Sequence, residues 1–327
     1  MPTLTAPVPP ASAAPLRSFL TLDQLGPHGL RALLDLTARL KRDPEPFRNS
    51  LAGGRLGMLF DKPSTRTRVS FESAAWMLGM LPIVLRPDEL QIGRGETISD
   101  TGHTLSLYLN AIAVRTFSQA SLEELAAASS IPVINALTNE HHPCQAVADV
   151  MTLEEAFGTL AGISVAFIGD GDNVCHSLMQ AAALAGFELR VATPPGYEPD
   201  PGIVAAAREA ARATGGAIVL TNDPVEAVSG VHAVYTDVWT SMGKEAEQAT
   251  RKATFAGFAV DDRLMRHASS RAIFLHCLPA HRGEEVSAEV IDGPASRVWP
   301  QAENRMHTEA ALLYTIVAGD PGGERLP

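Results

Sequence analysis

From residue 17 onward short apolar runs alternate with amphipathic segments, and that alternation is the sequence form of a parallel sheet flanked by helices. Runs at 55–60, 82–86, 111–115 and 132–136 read as strands of a first series. Runs at 163–169, 188–192, 217–221, 232–236 and 271–275 form a second. The spacing predicts two groups of about five strands, hence an α/β chain of two domains, each a mostly parallel, Rossmann-like sheet flanked by helices. Leu30, Leu33, Leu34 and Leu40 recur at helical spacing until the Pro-rich stretch 43–46 ends the run. Pro143 can start a helix that continues to Phe157 with Gly158 just beyond, and this helix is the expected joint. The expected layout is a disordered extension at 1–16, a first domain at 17–150, a second at 151–302, and a segment 303–327 whose helix packs back on the first domain.

Composition narrows the partners. A length of 327 residues allows two ordinary cores, and 46% apolar with 19% charged residues is the balance of a globular chain. The net charge of -11 arises from 37 acidic and 26 basic residues with no basic runs, which disfavours nucleic acid or an anionic membrane as partner. No apolar stretch approaches the roughly 20 residues that cross a bilayer. Cys144, Cys175 and Cys277 are odd in number and form no CxxC pair, so free thiols in a reducing, cytoplasmic setting are expected, with no structural disulfide. The start, 1–16, is rich in Pro and Ala and lacks the basic residues of an import peptide.

In parallel sheets ligands bind beyond the carboxyl ends of the strands, and the unusual residues lie there. After 55–60 comes Asp61-Lys62-Pro63-Ser64-Thr65-Arg66-Thr67-Arg68, then a helical segment through Phe71 to Leu78. Free N–H groups at a helix start, hydroxyls and a guanidinium together form an anion cradle; the bland alternative is an N-cap with solvated arginines. Arg115 ends an otherwise apolar strand, where a charge needs a partner. His142-Pro143-Cys144-Gln145 offers an imidazole and an amide able to bind a carbonyl and an NH2 group. A zinc site from His141, His142 and Cys144 is a poorer reading, because the second ligand pair of structural sites is missing.

Gly169-Asp170-Gly171-Asp172-Asn173 resembles a dinucleotide-binding turn, but Val174 breaks the glycine fingerprint, so Asn173 is read as an amide for a small polar ligand. Asp237-Val238-Trp239-Thr240-Ser241-Met242-Gly243 supplies a carboxylate for an ammonium group and a hydroxyl for a carboxylate, which suits an α-amino acid. His276-Cys277-Leu278-Pro279 suggests a nucleophilic thiol with a histidine base; against it, adjacent side chains of an extended chain point in opposite directions.

Taken together, these blocks closely resemble the ornithine carbamoyltransferases over about residues 17–320, with 91–96, Arg115-Thr116-Phe117 and 303–307 also matching. The resemblance implies a first domain for carbamoyl phosphate, a second for L-ornithine, a homotrimer or a multiple of trimers, no metal and no cofactor. It places the phosphate on Ser64, Thr65, Arg66 and Thr67, with Arg115 and with Gln91 from a neighbouring subunit. The carbamoyl group is placed on Thr67, Arg115, His142, Gln145, the backbone near Cys277 and Leu278, and Arg305. Arg115, His142, Thr67 and Cys277 form the implied catalytic set, and Asn173, Asp237, Ser241 and Met242 the ornithine set. Asp61 and Asp172 depart from the common Glu and Asn, and Asp172 puts ornithine affinity in question.

The implied reaction, in arginine metabolism, is direct attack of the side-chain amine on carbamoyl phosphate through a tetrahedral intermediate, with ordered binding and domain closure. Alternatives are another acceptor (putrescine, acylated ornithine or aspartate), a non-catalytic family member, or a dinucleotide-dependent dehydrogenase.

Overall fold

The computed structural model describes residues 16–61, 64–86, 88, 90–92, 94–240 and 245–319. The extension expected at 1–16 therefore lies, except for Leu16, outside the described residues. By packing, the chain divides into two compact units, one running to Cys144 and resuming at Arg305, the other Gln145–Asn304. The divisions fall inside two helices, so each of those helices serves both units.

The first unit contains α1 (Gly26–Arg42), β1 (Arg55–Phe60), α2 (Thr65–Met77), β2 (Leu81–Leu85), α3 (Ile98–Ser106), β3 (Ala111–Arg115), α4 (Gln119–Ala128), β4 (Val133–Leu137) and the start of α5 (Pro143–Phe157). Its four strands are parallel in the order β2-β1-β3-β4. Because helices cover both faces, the inner strands are apolar along their length rather than alternating, and Ala111–Arg115 is buried throughout. Leu59, Ile112, Val114 and Val133 meet Leu122 and Leu125 of α4 in the core. Each such side chain contributes roughly 1.5–3 kcal/mol by leaving water. The expectation of about five strands is corrected here to four. Beside β4, Phe19 forms only a single parallel bridge to Ile134, with its N–H on the Val133 carbonyl at 2.8 Å.

The second unit holds the rest of α5, then β5 (Ser164–Ile168), α6 (Asn173–Ala185), β6 (Glu188–Ala192), α7 (Pro201–Thr214), β7 (Ala217–Thr221), α8 (Pro224–Val228), β8 (Ala233–Thr236), α9 (Gln248–Thr254), α10 (Asp262–Met265), β9 (Ile273–His276), α11 (Ala288–Ile291) and the first turns of α12 (Val298–Ala318). Five parallel strands run in the order β7-β6-β5-β8-β9. Local chemistry sets the boundaries. Asp200 and Asp223 cap α7 and α8 ahead of a proline at the first helical position. Gly186 and Gly215 end α6 and α7 in the left-handed conformation that glycine adopts without a Cβ clash. The last helix starts at Val298 rather than at Glu303, since Pro300 sits in its first turn, where no intrahelical N–H bond is required.

Strand order decides where ligands can enter. In the first sheet the chain goes from β1 outward to β2 and returns on the other side to β3, so the order reverses between β1 and β3. In the second sheet the reversal falls between β5 and β8. The helices after such neighbours leave toward opposite faces, which opens a crevice at the carboxyl ends of the two strands.

Candidate active site

At the first reversal, the ends of β1 and β3 are tied together by Asp61. Its N–H donates to the Arg115 carbonyl at 2.8 Å, and its carboxylate accepts the Thr116 hydroxyl at 2.6 Å. Ser64, in extended conformation, caps α2 by accepting the N–H of Thr67 at 3.2 Å. A cap of this kind is worth about 1 kcal/mol and leaves other first-turn N–H groups for a ligand. Lys62 and Pro63 of the motif lie outside the described residues. Thr65 is exposed, Ser64 and Arg66 are half-buried, and Thr67 is buried. Arg68 instead forms a surface ion pair with Glu72 at 2.9 Å, so the solvated-arginine reading holds for it.

Arg115 is buried, at a shift of register between β3 and β4 that re-aims the strand end. The buried His142 has its pKa held well below the usual imidazole value, first by burial and then by Arg305, Arg115 and Arg66. Three guanidinium groups therefore act on one neutral ring. Arg305 is itself buried and bonds Glu309 Oε1 through Nε at 3.0 Å and Nη2 at 2.6 Å, with Nη2 also 3.4 Å from the Thr67 hydroxyl. Glu309 stands four residues along the same helix, a spacing visible in the sequence although its role was not anticipated there. Burial raises the Glu309 carboxyl pKa, against the pull of Arg305 and Ser70. Cys144 bonds the Asn135 carbonyl at 3.3 Å, and burial pushes its thiol pKa far up, which disfavours the reactive thiolate form. Gln91 stands on an exposed stretch between β2 and α3, its carbonyl accepting from Arg94 at 2.8 Å.

In the second unit, Gln145 is buried and donates to Asp149 Oδ1 at 2.8 Å. The same oxygen accepts from Gln301 at 2.6 Å, and Gln301 in turn accepts the His276 N–H at 3.0 Å. This buried chain of side chains, which sequence reasoning missed, links Gln145 to the main chain at the end of β9.

At the second reversal, Asn173 opens α6 and is buried. The glycine-rich turn before it has a packing role: Gly171 donates to the Tyr197 carbonyl at 2.9 Å, and a Cβ there would strike the backbone at Glu198 and Pro199. Glycine here admits the chain's own backbone, which accounts for a turn that resembles but does not complete the dinucleotide pattern.

Asp237 follows β8. Burial raises its carboxyl pKa, opposed by His276 and by hydrogen bonds from the Cys277 thiol at 3.0 Å and the Val238 N–H at 2.7 Å. Arg251 braces the surrounding loops, bonding Asp170 at 2.5 Å and the Trp239 carbonyl at 2.9 Å while stacking over Tyr197 at 5.0 Å. Ser241 and Met242 lie outside the described residues.

The side chains of His276 and Cys277 diverge. Cys277 turns to Asp237, whereas the His276 ring lies between the Leu278 N–H at 2.8 Å and Glu285 at 3.2 Å. Asp237, His276 and Cys277 bring one potential metal ligand each within 4.8 Å of one another, as do His281, Glu284 and Glu285. The atoms concerned are largely taken up inside the fold, by the contacts just given and by Lys252 on Glu284 at 2.9 Å.

The architecture has close counterparts. Residues 17–155 match the carbamoyl-P binding domain of aspartate/ornithine carbamoyltransferases, and residues 161–316 match the Asp/Orn binding domain. An ornithine carbamoyltransferase of Gloeobacter violaceus is 50% identical over 92% of this chain and 96% of its own length. One of Symbiobacterium thermophilum is 51% identical over 92% of this chain and 98% of its own. The solved ornithine carbamoyltransferase of Pyrococcus furiosus superposes with a TM-score of 0.90 at 45% identity, covering 94% of this chain and 99% of that one.

Proposed function

The chain belongs to the aspartate/ornithine carbamoyltransferase family, and on that premise we propose that it transfers the carbamoyl group of carbamoyl phosphate to the side-chain amine of L-ornithine, giving L-citrulline and phosphate in arginine metabolism. The observation that carries this reading is the cationic crevice at the first strand reversal, where Arg66, Arg115 and Arg305 all depress the pKa of a neutral His142 beside a capped helix start. Such a group of fixed positive charges and N–H donors suits a phosphorylated carbamate.

In the proposed mechanism Ser64, Thr65, Arg66, Thr67 and Arg115 hold the phosphate, with Gln91 added by a neighbouring subunit. Arg115, His142 and Thr67 donate to the oxygen that gains charge as the amine nitrogen bonds to the carbonyl carbon; Gln145 and the Cys277–Leu278 backbone bind the NH2 group. Each oxyanion donor is worth roughly 3–4 kcal/mol in reactions of this type. The C–O bond to the phosphoryl group then breaks, its electron pair leaves with phosphate, and the displaced amine proton follows it. Asn173, Asp237, Ser241 and Met242 hold ornithine, Asp237 facing its ammonium group. The attacking amine must be neutral, so kcat/KM for ornithine rises with pH over the neutral to alkaline range, because a free alkyl ammonium has a pKa of about 10.4. Donor binding precedes ornithine binding.

We place the enzyme in the cytoplasm, in keeping with three free cysteines, and as a homotrimer or a multiple of one. Among the described residues, no helix is long and apolar enough to cross a membrane. Val69, Trp76, Leu81, Leu107 and Tyr108 of the first unit are each more than half exposed, apolar surface that self-association would cover.

Steady-state assays with carbamoyl phosphate and a panel of ornithine, acylated ornithine, putrescine and aspartate, together with solution mass, test the reading. Citrulline formation with ornithine preferred by at least about tenfold is expected. Preference for another amine, or no turnover by the folded protein, overturns it.

A further inference from the structure

Leu278 and Asn49 are the two non-glycine residues with positive φ among those described, at 59° and 56°. Asparagine tolerates that region, whereas leucine is held in it only by its surroundings. The holding group is the side chain two residues earlier: the Leu278 N–H points at His276 Nδ1, 2.8 Å away. An N–H can only donate, so Nδ1 is bare and the ring proton sits on Nε2. Nε2 faces Glu285 Oε1 at 3.2 Å.

Glu285 is fully buried, and its Oε1 also takes the His281 N–H at 2.5 Å. Its main-chain carbonyl accepts the Val260 N–H at 2.8 Å, so the carboxylate stands on an anchored backbone. The His276 N–H in turn is taken by Gln301. Apolar side chains could fill this space, and burying a carboxylate is costly, so packing alone does not account for the pair.

We propose that His276 and Glu285 are positioning residues: Glu285 orients the ring and keeps its proton on Nε2, and Nδ1 holds Leu278 in its turn, aiming the Leu278 main chain at the carbamoyl NH2 group and the Cys277 thiol at Asp237, where the incoming amino acid is held. The proposal rests on the ornithine reading above. Because both ring nitrogens are engaged, His276 takes no proton from Cys277, which is left to donate to Asp237.

Four variants separate aim from bulk. In His276→Asn the amide oxygen falls where Nδ1 was and can still accept the Leu278 N–H. In His276→Gln the polar end reaches toward Glu285 and leaves that N–H without its acceptor. Glu285→Gln keeps a carbonyl oxygen for His276 and His281, and Glu285→Leu removes it. Steady-state kinetics in both substrates and a thermal melt are measured for each, beside the wild type.

The expected result is a loss of about 100-fold in kcat/KM for ornithine in His276→Gln and Glu285→Leu, the scale of a misplaced reacting group, with KM for carbamoyl phosphate within about tenfold, the scale of one neutral hydrogen bond to its NH2 group. His276→Asn and Glu285→Gln recover to within about tenfold of wild type. A His276→Asn no better than His276→Gln, or parallel losses in both substrates that track a lowered Tm, overturns the proposal while leaving the ornithine reading intact. A folded wild type that makes no citrulline strikes that reading, and the proposal falls with it.

Discussion

The two strand-reversal sites are built in opposite ways. In the first unit most of the charged and hydroxyl groups come from one contiguous stretch, Ser64 to Thr67, joined by Arg115, His142 and Arg305, and the local charge is strongly positive. In the second a buried carboxylate, Asp237, is bracketed by a thiol and an amide N–H drawn from two neighbouring strand ends, while a second, Asp170, is paired with Arg251. On the proposed reading the difference follows from ligand chemistry. A phosphate dianion can be gripped by helix-start N–H groups and guanidinium forks from a short segment. An amino acid carries charges of both signs along a flexible chain, and groups from separate elements must meet it.

If the comparison is right, damage to one half stays with its own substrate. The largest effect is expected for Arg66→Ala: kcat/KM for carbamoyl phosphate falls by about a thousandfold, the upper range for losing one charged donor, and a loss below tenfold would break the assignment. Asp237→Ala comes next, lowering kcat/KM for ornithine about 100-fold with KM for carbamoyl phosphate nearly unchanged, as expected for about 3 kcal/mol from a hydrogen-bonded charge. Unaltered ornithine kinetics would remove Asp237 from the head-group role.

Cys277→Ser sharpens the contrast. Serine also donates to Asp237, so turnover is expected within about tenfold of wild type, the scale of one altered neutral hydrogen bond; a folded but inactive variant would instead indicate a covalent thiol. The smallest effect concerns His142. Burial and three guanidinium groups keep its native pKa depressed, while the unfolded chain takes up that proton near pH 6.5, about the free imidazole value. Stability from the neutral ring is thus complete above pH 6.5 and is lost as pH falls from there through the native value. Thermal melts of His142→Gln between about pH 7 and 5 should show an acid slope shallower by roughly one proton. Equal slopes would place His142 outside the cationic group.

Much of the fold was legible in the sequence. Strands 55–60, 111–115, 188–192 and 217–221 and the helix 143–157 appear where the apolar runs and the Pro and Gly signals put them. The helix start at Ser64 to Thr67, where the anion cradle is proposed, was readable because its cap and first turn are neighbours in the chain. Less was legible where partners are distant. Arg305 reaches Thr67 across 238 residues, Arg251 reaches Asp170 across 81, and Cys277 reaches Asp237 across 40. Glu285 stands nine residues beyond His276 in a loop whose course carries no periodic signal.

Linear order determined by itself the alternation of strands and helices, and with it the α/β class and the cap that opens α2, because periodicity and capping act within one or two turns of chain. Tertiary structure alone decided that the strand order reverses beside β1 and beside β5, and so which loop ends meet. Strand order depends on which long connections pack back on which side of the sheet, an energy shared among residues far apart in sequence.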